Sequence, residues 1–82
     1  MDYTKYIKTK NDEIITFSQL LQHSEFKNFE PKSAGFISIG KDKDGKVSCE
    51  CFGESFSLDL NSDYEDTNLA KIQILNYEAY EL

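Results

Sequence analysis

The chain has no tryptophan, a single proline, a single histidine, two cysteines and four glycines. Each shortage excludes something. So little proline and glycine leaves no material for long flexible linkers. One imidazole and two thiols are too few for a four-ligand zinc site built from those side chains alone. No apolar run approaches the roughly 20 residues of a membrane span. The opening Met-Asp-Tyr-Thr-Lys-Tyr-Ile-Lys lacks the apolar core of a signal peptide, which sets the expectation of a cytoplasmic protein. Cation is also scarce: nine Lys+Arg face fifteen Asp+Glu, a net charge of −6. Direct binding to a nucleic-acid backbone needs a basic stripe, so that class is excluded, and an anionic membrane surface with it.

What is present is a globular balance, 39% hydrophobic and 29% charged, over 82 residues. That supports one small acidic domain, 1–82, with a single modest core. Eleven aromatics, six Phe and five Tyr, supply much of the apolar surface.

The clearest pattern runs from Gly35 to Leu60. It alternates with period two, as half-buried strands do. Ile37, Ile39, Val47, Cys49, Cys51, Phe56, Leu58 and Leu60 share one face. Ser38, Ser48, Glu50, Ser57 and Asp59 share the other, with Phe36 and Phe52 as exceptions. Cross-strand neighbours must lie on the same face. A two-residue Asp44-Gly45 loop would set Ile39 against Glu50. A three-residue loop, Lys43-Asp44-Gly45, sets Ile39 against Cys49 and Ile37 against Cys51, with Gly45 at the left-handed position. A second turn at Gly53-Glu54 would pair Cys51 with Phe56 and Cys49 with Leu58. The reading is a three-stranded antiparallel meander over 35–40, 46–52 and 55–60.

Upstream, residues 3–9 and 13–16 flank Lys10-Asn11-Asp12 and form a hairpin. Thr16 and Gln19 have capping-box spacing, which predicts a helix over 17–28 that ends before Pro31. Ser62 and Glu65 repeat that spacing. Leu69, Ile72, Leu75, Ala79 and Leu82 then recur at helical intervals, predicting a second helix over 63–79. Residues 70–74 also alternate like a strand, but the cap and the length of the pattern favour helix. The order ββ-α-βββ-α makes a small α+β two-layer domain.

Few residues carry a chemical signature. Asp42-Lys43-Asp44-Gly45 resembles a calcium loop in outline, yet alignment on the glycine places Gly40 and Cys51 where oxygen ligands are required. Cys49 and Cys51 on one strand face read as reduced core residues. No nucleophile elbow, phosphate-binding glycine loop or metalloprotease helix is present. The expectation is a protein that is not an enzyme and carries no metal and no cofactor. The candidate partner-binding residues are the acidic cluster Asp59, Asp63, Glu65 and Asp66, and the aromatic pair Phe36 and Phe52 on the outward sheet face. They suit a non-catalytic interaction domain, an acidic inhibitor or adaptor for a basic, nucleic-acid-binding protein. The small acidic inhibitors of phages and mobile elements are similar in composition. The second reading is a structural subunit that forms a homo-oligomer through open sheet edges.

Overall fold

The computed structural model describes residues 3–76. Four strands form one antiparallel sheet in the order β2-β1-β3-β4: β1 Tyr3–Lys8, β2 Ile14–Phe17, β3 Ser33–Lys41 and β4 Val47–Phe52. The first hairpin therefore joins the meander in a single sheet. Its β1 strand pairs with β3, placing Tyr6 opposite Gly35 and Lys8 opposite Ser33.

The β3–β4 register sets Ile39 against Cys49 and Ile37 against Cys51, as the parity of the faces requires. The connecting loop is Lys43-Asp44-Gly45. Asp42 N–H donates to the Lys46 carbonyl at 2.9 Å, and Gly45 adopts φ +82°. Asp42 Oδ1 accepts from the N–H groups of Asp44 and Lys46, both at 2.9 Å. That carboxylate thus fastens the turn, in the manner of aspartates that begin such loops.

Both sheet faces are covered. On one lies helix α1, Asp66–Gln73, whose Ala70 packs with Tyr6, Ile37 and Cys49. Ile14, Cys51, Ile74 and Leu75 complete this cluster. A fully buried side chain such as Ile37 contributes roughly 1.5–3 kcal/mol. On the opposite face Ile7, Phe17 and Ala34 are buried beneath Phe26, Leu58 and Leu60. This cover reaches Phe36 through His23 but leaves Phe52 38% exposed.

Two elements differ from expectation. No α-helix spans 17–28. Thr16 and Phe17 continue β2, where Phe17 pairs with Lys5 and is buried. The β-branched run Ile14-Ile15-Thr16 suits a strand, and the capping spacing at Thr16 gives way to sheet pairing. Leu20, inside the predicted span, is 93% exposed. The helical structure in this region is a pair of 3-10 turns, His23–Phe29, kinked at Phe26. The Glu25 carboxylate accepts from Gln22 N–H at 2.7 Å. The chain leaves through Glu30 at φ 51°, just before Pro31.

No strand spans 55–60 in the main sheet either. Gly53 turns the chain with φ +79°, and Glu54–Ser55 (β5) pairs with Leu60–Asn61 (β6) as a separate ribbon. Phe56 to Asp59 form its turn, and Asp59 sits at φ 56°. Phe56 is 88% exposed, so the pairing of Cys51 with Phe56 is not made. Leu58 and Leu60 do reach the core, but on the face opposite Cys49 and Cys51.

Residues 70–73 are helix, which settles the helix–strand alternative, and α1 is shorter than 63–79. Its buried line is Ala70 with Ile74 rather than Leu69 with Ile72. Asn76 adopts φ 61° after the last turn, and 77–79 lie outside the described residues.

Candidate protein-interaction surface

The acidic cluster divides into two parts. Asp66 is 0% exposed and is held from four sides. Its Oδ2 accepts from the Tyr6 hydroxyl, from Ser33 Oγ at 2.7 Å and from Asp63 N–H at 2.9 Å. Its Oδ1 faces Lys8 Nζ at 3.0 Å, without the alignment of a hydrogen bond. Lys8, 1% exposed, also meets Glu65 at 2.7 Å and Asp63 at 3.4 Å. The backbone contact between Asp66 and Asp63 has capping-box spacing, one residue beyond the Ser62–Glu65 pair that the sequence suggests.

The electrostatics arise from this packing. Burial by itself raises the Asp66 carboxyl, but the hydrogen bonds from Ser33, Tyr6 and Asp63 and the Lys8 ammonium outweigh it and hold the group below its ordinary value. Burial disfavours the Lys8 ammonium, yet Glu65 and Asp66 more than compensate and push it up. Burial, then the Asp66 carboxylate, pushes the Tyr6 phenol up. Asp66 is thus a structural anchor, inaccessible to a partner. Asp63 and Glu65 keep side chains 41% and 47% exposed. Three carboxylates around one ammonium leave this corner with a formal charge of −2. Asp59 stands apart, exposed on the β5–β6 turn.

The aromatic pair is brought together. Phe36 and Phe52 are cross-strand partners with ring centroids 5.9 Å apart. Tyr3 meets both edge-on, at 5.4 Å and 5.8 Å. Tyr3 and Phe52 are 37% and 38% exposed, and Phe36 is half-buried beneath them. The rings continue inward through His23 and Phe17 to Phe26. Exposed Glu50 lies two residues from Phe52 on the same face, in the row Tyr3–Ser38–Glu50.

The remaining reactive side chains are engaged in the fold. His23 is buried, and its Nε2–H donates to the Gly35 carbonyl at 2.8 Å. Burial lowers its pKa. Both cysteines are unbridged, and burial pushes the Cys51 thiol up to about 12. Among the described residues no three His, Cys, Asp or Glu side chains converge as a metal site requires.

Sequence reasoning passed over Tyr6, Lys8 and Ser33. The signal was available: Tyr6 and Lys8 share one strand face. A lysine beside a core tyrosine must find carboxylates, and residues 63–66 are the densest source. Tyr3 was also passed over, because its place beside Phe36 and Phe52 depends on the β1–β3 pairing.

The sheet edges carry caps. Thr67 Oγ1 accepts from Cys51 N–H on β4 at 2.9 Å. At the other edge Gln73 Oε1 accepts from Ile14 N–H at 2.8 Å. Helix α1 therefore occupies one backbone donor on each edge strand, which hinders further strand pairing. No helix among the described residues is long and apolar enough to cross a membrane. In comparisons with known proteins, no family model, no curated protein and no solved structure matches the chain.

Proposed function

We propose that this chain is a non-catalytic protein-interaction domain, an acidic inhibitor or adaptor that engages a basic, nucleic-acid-binding protein. The observation that carries this reading is the imbalance at the start of α1. One buried ammonium serves three carboxylates, and two of those remain half-exposed. Three of the other lysines are engaged away from this corner: Lys10 is paired with Glu30, Lys32 with Asp12, and Lys5 donates to the Leu21 carbonyl. Glu50, Glu54 and Asp59 are exposed and form no ion pair among the described residues. Such a surface attracts a basic partner and accelerates its encounter in a salt-dependent way.

The test removes charge without disturbing the anchor. Asp59→Asn suits the left-handed backbone there, and Glu65→Gln leaves Asp66 to balance Lys8. The double variant should bind a purified basic DNA-binding domain several-fold more weakly than the parent, and thermal unfolding checks that it stays folded, because Glu65 holds a 2.7 Å ion pair to buried Lys8. Undiminished binding by the variant would remove the charge argument. Assembly through sheet edges, the alternative reading, meets the Thr67 and Gln73 caps and is given second place.

A further inference from the structure

We infer that the Tyr3–Phe36–Phe52 patch with Glu50 is an arginine-reading site, where a guanidinium of the basic partner stacks on the exposed rings and pairs with the Glu50 carboxylate. This rests on the reading of the protein as a binder of basic surfaces, and it names which cationic side chain is read, and where.

Three observations bring the site together. First, the rings are pre-organised. Phe36 stacks under Phe52 at 5.9 Å and Tyr3 abuts both, so a cation meets a fixed aromatic surface. Second, an anion borders it: Glu50, exposed and outside every ion pair formed by the described residues, shares the face and stands two residues from Phe52. Third, the chain's own cation is held away. Lys5 lies in the same row as Phe36 and Phe52, but its Nζ is 2.6 Å from the Leu21 carbonyl. Among the described residues the patch therefore offers π-faces and a carboxylate, with the nearby Lys5 ammonium engaged at the Leu21 carbonyl.

Chemistry selects the occupant. Stacked aromatics also bind unpaired bases, but those sites add a positive groove for the phosphates. Here the neighbouring charge is negative, as is the net charge of −6. A lysine ammonium would satisfy the carboxylate. Arginine satisfies both parts, because its planar guanidinium stacks on a ring and presents paired N–H donors at its edge.

Amide NMR titration of the full chain with an arginine hexapeptide and a lysine hexapeptide tests this. The arginine peptide should bind about two- to fivefold more tightly, the range expected for an exposed cation–π contact. Its largest shifts should fall at residues 50–53. Phe52→Leu, which keeps an apolar side chain, should bring the two peptides to the same affinity, and Glu50→Gln should weaken both. Thermal unfolding of each variant checks the fold. Equal affinities in the parent, with Phe52→Leu indifferent, would overturn the arginine site and leave the acidic reading standing. Failure of both peptides to bind would overturn the arginine site and the acidic reading together.

Discussion

The Tyr6 hydroxyl donates to the Asp66 carboxylate, joining β1 to the first turn of α1 across 60 positions of sequence. The bond places helix α1 over the sheet and brings Lys8 beside the same carboxylate. Removing the phenolic donor with Tyr6→Phe should cost about 1–2 kcal/mol, a hydrogen bond to a charged group. Asp66→Ala should cost more, about 3–5 kcal/mol, because Lys8 loses its fully buried counter-charge. Urea unfolding with an unchanged m-value separates the two.

Acid should weaken the fold in two stages. His23 has a folded pKa below its ordinary 6.5, because burial disfavours the imidazolium. The unfolded chain therefore takes up that proton first, and stability falls as pH drops below about 6.5. The depressed Asp66 carboxyl contributes stability above its ordinary 3.8, which is lost as pH falls through the lower folded value. His23→Phe should flatten the first stage and leave the second. At the alkaline end Tyr6 and Lys8 have raised pKa values, so stability should fall above about 10 as the unfolded chain gives up those protons first. Chemical denaturation across pH reads all of these.

Thr67 is the predicted guard of the β4 edge. Thr67→Val removes the acceptor for Cys51 N–H, at a cost of about 1 kcal/mol. It should also raise the apparent mass in light scattering at concentrations where the parent is unchanged. A variant with the parent's scattering would show that the hydroxyl does not restrain pairing.

Two glycines of β3 should respond differently to alanine. A Cβ at Gly35 would collide with the Phe52 carbonyl oxygen, so Gly35→Ala must displace backbone. It should destabilise by more than about 2 kcal/mol. A Cβ at Gly40 meets nothing within 4 Å, and Gly40→Ala should be neutral or slightly stabilising. Thermal melts of the pair decide this.

The central meander was legible because two constraints converged on it. Side-chain parity and the left-handed residue of the loop both demanded that Ile39 face Cys49, and a register is discrete. The third strand was not legible. Phe56, Leu58 and Leu60 share a parity, but only the tertiary fold reveals that the second face needs a cover, and that a short ribbon supplies it. The helix predicted from Thr16 failed because local capping chemistry competes with strand pairing: the first hairpin runs on to Phe17, which pairs with Lys5. The acidic cluster was visible as composition, but its division into anchor and surface was hidden. That division depends on Lys8, 55 residues before Asp63. The neighbourhood of Phe36 and Phe52 came from the register, whereas Tyr3 joined them only through the β1–β3 pairing.

Attraction of a basic protein by the exposed carboxylates is tested most directly by one quantity. It is the dissociation constant for a purified basic DNA-binding domain, taken over a series of salt concentrations. Binding should be tight at low salt, log Kd should rise linearly with log salt, and the slope should be shallower for the Asp59→Asn, Glu65→Gln variant. Absence of binding at low salt, or affinity indifferent to salt, would contradict the proposed role.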